Sequence, residues 1–349
     1  MPLATSETDP LLIHFLTSGE EPDLLRFYQA NLDRYDLFQT LWSWRNGNAG
    51  ASGGETAVIA GRENRLVGAV GIVPVDMRIN GEPIRASWQQ DSLIAASERG
   101  KGVGKKLVSA AAEPYDLVMA KGTSRAMYGL RKSMGYSDVP YSDYLLAVNS
   151  PETRLKHPAK SLLFRMLWLW KQLLPLPREN ADLPVREISA FEEAAYDHLA
   201  EKMSRGGTFG PYKSAAYLNW RYMACPVKQY TVFQAGNDDP RGAVVLGFSA
   251  EAPMDGWVVD LICPSDDKQC ACRLLTAAMR FFKQRRFNKI WTFATLPAAR
   301  RWLLRFGFVP TRISPRFTCK FKDESRTPAS SPDIPWNIWH GDGDLELYL

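Results

Sequence analysis

Apolar positions change period along the first third of the chain. Between residues 10 and 40, Leu24, Leu25, Phe27, Tyr28, Leu32, Tyr35 and Phe38 fall near i, i+3 and i+4 spacing, which predicts amphipathic helix. Strand-like segments follow at Thr56 to Ala60 and Leu66 to Val75. Asn80-Gly81, between DMRI and EPIR, predicts a hairpin, because Asn-Gly accepts the positive φ values of a tight type I′ turn. A strand from about Ile84 to Ala95 leads into a glycine-rich turn and a small-residue helix over Gly102 to Ala112. A strand at Leu117 to Ala120, a helix through Ser124 to Met134 that stops at Gly135, and a strand at Tyr144 to Val148 complete this half. Strands alternating with helices predict an α/β (α+β) domain, a central mixed sheet flanked by helices.

The second half repeats the first. Leu41-Trp-Ser-Trp44-Arg45 has its counterpart in Tyr217-Leu-Asn-Trp220-Arg221, and Trp88-Gln-Gln-Asp91 in Trp257-Val-Val-Asp260. Gly104-Lys-Lys-Leu-Val-Ser-Ala-Ala matches Ala271-Cys-Arg-Leu-Leu-Thr-Ala-Ala, and the end of the helix at Gly135-Tyr136 matches Gly307-Phe308. These matches keep their order and spacing, so two copies of one domain are expected, over 1–150 and 186–322.

The copies differ most over Ser97 to Ala112, SERGKGVGKKLVSAAA. Gly100, Gly102 and Gly104 stand where a helix begins, and each costs about 1 kcal/mol relative to Ala inside one. Lys105 and Lys106 occupy a first turn whose dipole favours acids. An anion over the helix N-terminus accounts for both, because glycine exposes backbone N–H groups to phosphate oxygens and the lysines neutralise the charge. Where the first copy has Arg99, Gly102 and Gly104, the second has Asp266, Gln269 and Ala271. The second copy is therefore expected to keep the scaffold without the cradle.

Between the copies, residues 151–185 hold PAKSLLFRMLWLWKQLLPLP, rich in Leu and Trp and flanked by basic residues. This segment predicts a linker helix packed between domains, with peripheral membrane contact through residues 156–178 left open, since basic flanks and tryptophans suit a helix lying at a lipid surface. Residues 323–349 read as a Pro/Ser-rich connector and a Trp-containing tail that docks, capping the surface of the basic second copy.

Net charge is +5. It is unevenly placed: Lys268 to Lys322 carries fourteen Lys or Arg and no acid. Such a one-sign field implies an anionic neighbour, for which the tail's Asp342, Asp344 and Glu346 are internal candidates. The five cysteines show no zinc-ligand spacing with the four histidines, so no metal is expected and the thiols read as reduced. MPLATSETDP lacks a basic region followed by an apolar core, and no apolar run would span a bilayer, so a cytoplasmic protein is expected.

The glycine turn is neither a Walker P-loop nor a dinucleotide fingerprint, because Arg99 and Lys105 stand where those motifs need glycine. Arg99-x-x-Gly102-x-Gly104 between a strand and a helix instead resembles the pyrophosphate motif of the GNAT (Gcn5-related N-acetyltransferase) superfamily. The resemblance covers residues 40–150, and the duplication is similar to the tandem-GNAT arrangement of some bacterial acyltransferases.

What the resemblance implies is binding of an acyl-CoA, acetyl-CoA above all, as co-substrate. Arg99, Gly100, Lys101, Gly102, Val103, Gly104 and Lys105 would hold the pyrophosphate, while Leu93, Ile94 and Ala95 would bind the pantetheine arm. Asp91 is the candidate base and Tyr128 the nearest hydroxyl for a general acid. The family's usual Tyr position, four residues before the helix-ending glycine, is Arg131 here. The implied activity is N-acylation of an amine on an anionic acceptor, such as an amino sugar, sugar nucleotide or cell-surface polysaccharide precursor, with the second copy closing one wall of the acceptor cleft. Two alternatives stay open: a Fem-like aminoacyl-tRNA-dependent transferase, which the intact pyrophosphate motif disfavours together with any nucleic-acid partner, and a non-catalytic GNAT-like scaffold.

Overall fold

Apolar strands buried on both faces build two mixed sheets. The computed structural model describes residues 10–52, 55–63, 65–150, 158–173, 183–248, 252, 254–323, 335–343 and 345–348. In the first half the strands are β1 (Leu12–Phe15), β2 (Ala57–Arg62), β3 (Arg65–Ile79), β4 (Glu82–Ile94), β5 (Leu117–Ala120), β6 (Ser137–Asp138) and β7 (Tyr144–Val148). The second half has β8 (Val185–Ile188), β9 (Phe209–Pro211), β10 (Thr231–Ala235), β11 (Gly242–Phe248), β12 (Asp255–Ile262), β13 (Lys289–Phe293), β14 (Val309–Pro310) and β15 (Thr318–Phe321).

Helices α1 (Glu21–Gln29), α2 (Tyr35–Ser52), α3 (Val103–Ala110) and α4 (Arg125–Ser133) belong to the first half, and α5 (Pro158–Leu173) links it to the second. There α6 (Glu193–Ser204), α7 (Ala215–Leu218), α8 (Lys268–Gln284) and α9 (Pro297–Arg305) follow. The expected hairpin forms, with Asn80 and Gly81 both at positive φ. β1, in the stretch read as helical, pairs with β2.

The first sheet runs β1-β2-β3-β4-β5-β15-β6, with β9 on β3, and the second runs β14-β7-β13-β12-β11-β10-β8. The last strand of each half thus sits in the other half's sheet. β7 lies between β13 and β14, pairing Tyr144 with Phe293 and Leu146 with Val309. β15 lies between β5 and β6, pairing Thr318 with Ala120 and with Asp138. The divisions expected at residues 150 and 322 therefore separate chain segments but not folded units. β7 is buried at every position, so its apolar run matches the interior of either sheet and carries no signal of which one it joins.

One continuous core spans the two sheets. Trp88, Leu117 and Phe317 of the first sheet share it with Tyr144 and Phe293 of the second, and the tail adds Trp336 and Ile338. The repeated tryptophans also meet: Trp44 and Trp220 stack at 4.6 Å and 16°, and Trp220 Nε1 donates to the Trp44 carbonyl. Equivalent residues in mutual contact, together with a reciprocal strand exchange, give the two copies an approximate two-fold relation.

The linker helix α5 packs on β7. Its outer face leaves Leu162, Met166, Leu169, Trp170 and Leu173 exposed, at i, i+4, i+7, i+8 and i+11. Among the described residues, no helix is long and apolar enough to cross a membrane.

Candidate active site

β4 creates the site by separating from β5. The two strands pair in parallel only from Ala86 to Trp88. Beyond Trp88, β4 carries a bulge: Gly71 faces Gln90 and Ala69 faces Leu93, so Asp91 and Ser92 together oppose one residue of β3. Asp91 takes a φ of +49°, a left-handed conformation that costs a non-glycine residue about 1–2 kcal/mol. Two groups from the N-terminal helices hold it there. Arg45 Nη1 lies 2.8 Å from Asp91 Oδ2 in a nearly buried ion pair, and the Tyr28 hydroxyl donates to the Asp91 carbonyl at 2.5 Å.

Between the separated strands lies a cavity of about 310 Å³. Gln89, Asp91 and Ser92 line one wall, Lys121, Thr123 and Ser124 another, and Met127 and Arg131 project from α4. Gly343 and Leu345 of the tail close the remaining side. The tail, and not the second sheet as expected, supplies that wall. Gly122 makes this possible, because at φ +78° and without a side chain it lets Leu345 lie directly against it.

The glycine turn stands at the far end of β4. Gly100 and Gly102 both have φ of +81°, and a Cβ at either would point into open space. Gly102 caps α3, whose leading N–H groups have no partner within the helix. Gly104 faces inward, its Cβ position 3.3 Å from Leu130. Glycine is thus required for conformation at the two outward positions and for packing at the third. Lys105 and Lys106 are exposed beside the helix start, whereas Lys101 pairs with Glu98 at 2.9 Å and Arg62 reaches the same carboxylate. Arg99 Nε donates to the Ile94 carbonyl and ties the turn to the strand end where Leu93 to Ala95 were expected to bind the donor. Ala95 N faces the other way, to the Val67 carbonyl on β3.

The two candidate catalysts fare differently. Asp91 lines the cavity and is held in an ion pair with Arg45. Tyr128 does not line the cavity; its hydroxyl donates to Asp138 at 3.0 Å, a bond that raises its pKa. Arg131 does line it. Only 1% exposed, Arg131 donates from Nη2 to Gln89 Oε1 at 3.2 Å, and burial disfavours its charge. Arg45 was visible in the repeated Trp-Arg pair, and Gln89 in the contrast between Trp88-Gln-Gln and Trp257-Val-Val.

In the second copy the equivalent opening is filled. Gly341 N donates to Val259 O on β12, Thr295 N donates to Ile338 O, and Ala294 bridges to Trp339. The tail therefore occupies the cleft between β12 and β13 as a buried plug; it is not a surface cap. His340 stacks on Trp257 at 4.1 Å and 11°. Asp342 is fully buried and shares Lys213 with Asp260, the counterpart of Asp91. Lys213 Nζ lies 2.6 Å from Asp260, which also accepts from Tyr222 at 2.7 Å, so Asp260 is structural. Asp342 thus pairs outside the basic segment 268–322, two of whose cations find Asp143 and Asp255 instead. Asp344 and the side chain of Glu346 lie outside the described residues.

No protein-family model matches the sequence, and no curated protein matches it. Solved structures match its fold. A GCN5-related N-acetyltransferase from Kribbella flavida superposes with a TM-score of 0.64 at 14% identity, covering 93% of this chain and 74% of that one. Another from Anabaena variabilis gives 0.59 at 12% identity, over 89% and 73%. A probable N-acyltransferase from Enterococcus faecalis gives 0.57 at 10% identity, over 89% and 73%. With its paired mixed sheets, bulged central strand and glycine turn, the chain has the fold of the GCN5-related N-acetyltransferases, present twice in tandem.

Proposed function

We propose that this protein is an acyl-CoA-dependent N-acyltransferase, with acetyl-CoA as donor, that works through the first copy alone and acts on an amine of an anionic acceptor. One observation carries the reading: the glycine turn presents unpaired helix-start N–H groups at the end of the strand whose bulge opens the cavity. The donor fits the residues present. Gly100 and Gly102 leave open space over the turn, as close approach of a pyrophosphate requires, and Lys105 and Lys106 add positive charge. Acyl-CoA would supply an activated carbonyl. The chain would orient it through β4 and exclude water with Leu345 of the tail.

An anionic acceptor is supported by the charge of the cavity wall. Lys121 and Arg131 share the cavity lining with one carboxylate, Asp91, which pairs with Arg45, while the Lys121 ammonium also donates to the Trp339 and His340 carbonyls of the tail. An amino sugar, sugar nucleotide or polysaccharide precursor would suit that field. Contact with an anionic membrane is favoured by α5, whose exposed apolar face includes a tryptophan and whose described residues contain no acid. Burial, and then the nearby Lys283 exposed on α8, lowers the pKa of Lys171 on α5 to about 8.

Calorimetric titration with CoA tests the donor site. Gly100→Asp and Gly102→Asp place a carboxylate over the turn in a residue type that tolerates left-handed backbone. Both variants should fold and lose CoA binding; no binding by the wild type, or equal binding by the variants, overturns the reading.

A further inference from the structure

The Arg131–Gln89 pair is a feature of the first copy alone. Gln89 bridges two helices across β4: its Nε2 donates to the Val108 carbonyl of α3, and its Oε1 accepts from Arg131 on α4. Among the described residues no carboxylate forms an ion pair with Arg131, and its Nε is buried without a hydrogen-bond partner. A cation in that state is costly to bury. The scaffold does not need it. By the repeat, Gln89 corresponds to Val258 and Arg131 to Leu303, both fully buried in a copy whose cleft is plugged. The same fold therefore exists in this chain with an apolar pair in place of the polar one, and the polar pair accompanies the open cavity and the glycine turn.

We propose that Arg131 is a catalytic residue whose guanidinium binds the sulfur leaving the acyl donor, with Gln89 as the residue that positions it. The inference rests on the reading of the cavity as an acyl-CoA site. When the acceptor amine attacks the carbonyl carbon, the carbon–sulfur bond breaks, its electron pair stays on sulfur, and the amine proton passes to solvent. The product sulfur is then a thiolate, and a buried cation in the wall, held by Gln89 and the face of Tyr136 but by no carboxylate among the described residues, stabilises that charge without giving up a proton. No general acid is required. This agrees with Tyr128 being bonded to Asp138 away from the cavity.

The thiol of bound CoA reads this directly, without knowledge of the acceptor. CoA isotopically labelled at the carbon next to sulfur is titrated by NMR on wild type, on Gln89→Val/Arg131→Leu, which copies the second-copy pair, and on Arg131→Gln, which keeps a partner for Gln89 and removes only the charge. The thiol should ionise about one to three pH units lower on wild type than free in solution, and near its free value on both variants. CoA affinity should be similar for all three proteins at pH values below the bound thiol's titration, where the thiol is uncharged in each, and wild type should gain affinity over both variants as pH rises through it. If the double variant fails to fold, Arg131→Gln decides alone. Failure of wild type to bind CoA removes the donor site itself. Binding with the same thiol titration in wild type and Arg131→Gln overturns the role of Arg131 and leaves the donor site standing.

Discussion

Lys213 is a residue whose loss should cost the fold heavily, because it removes one buried cation from two buried carboxylates. It is fully enclosed, holds Asp260 at 2.6 Å and Asp342 at 3.3 Å, and so joins the central strand of the second sheet to the tail that plugs its cleft. Burial alone would lower its pKa, but the two carboxylates outweigh that and raise it, while burial leaves the Asp260 carboxyl raised as well. Lys213→Met deletes the cation and strands two buried carboxylates. Breaking a buried pair costs about 3–5 kcal/mol, and two partners place this case at the upper end. Because the two halves share one core, the cooperative unit is the whole chain, for which about 2.1 cal/mol/K of unfolding entropy per residue makes each kcal/mol move Tm by about 1–1.5 °C, so a fall of roughly 4–8 °C is expected by calorimetry. The sign with pH follows from linkage. A carboxylate with a raised folded pKa binds its proton more tightly when folded, so it subtracts stability as pH rises from the unfolded value through the folded one. The variant should therefore be hurt more near pH 8 than near pH 5. Lys213→Met/Asp260→Leu should recover part of the loss, since it removes one of the two stranded carboxylates and leaves Asp342 buried without its cation. Hydrogen exchange should quicken at the Trp339 and Gly341 amides, which bond to Asp342 and Val259. A Tm change below about 3 °C, or a loss equal at both pH values, would refute the assignment of this triad as the clamp on the tail.

Two further outcomes are expected. Burial first, then the cations Lys121, Lys228 and Arg221, hold the His340 imidazole well below its usual pKa. The unfolded chain takes up that proton below about pH 6.5 and the folded chain does not, so stability falls with acid by up to about 1.4 kcal/mol per pH unit. In urea titrations His340→Phe, which keeps an aromatic face against Trp257, should flatten the loss between about pH 6.5 and 5; an unchanged slope would show that His340 is protonated in the fold. Vesicles containing anionic lipid should co-sediment the wild type in a salt-sensitive way and release Leu169→Glu/Leu173→Glu. Equal sedimentation of both proteins would leave α5 without a lipid role, and oligomers seen only for the wild type would point to a second copy on that face.

Much of the first copy was legible because its elements carry local signals. The Asn80-Gly81 hairpin, the turn at Gly102 and the strand Leu117–Ala120 each follow from period or backbone chemistry within a few residues. The internal repeat added a second reading of the same scaffold; that it keeps Arg45 as Arg221 and changes Gln89 to Val258 acquires meaning only once the cavity is in view. What sequence could not carry was pairing at long range. β7 and β15 are short and almost wholly buried, so nothing local says that they trade sheets. β1 was hidden because four residues of alternating burial sit beside a longer helical pattern. The bulge at Asp91 was equally hidden. Its left-handed backbone is imposed by Arg45 and Tyr28, 46 and 63 residues earlier in the chain, and no turn residue announces it.

The exchange of β7 and β15 changes what the second copy is for. If each sheet closed on itself, the plugged copy could be removed and the first would keep its site. As built, β15 lies beside β5, the strand that leads into Lys121 and Gly122 in the cavity wall, and the tail that fills the second cleft goes on to close the first with Gly343 and Leu345. The copy without a cradle thus supplies the anchorage for the one that has it: its own cleft is filled by chain, and that chain goes on to form a wall of the first copy's cavity. A duplicated domain that kept two open clefts would have no such wall. Filling the second cleft is therefore part of how the first is shaped, and changes in the clamp at Lys213 should be felt at the cavity even though none of its three charged groups lines it.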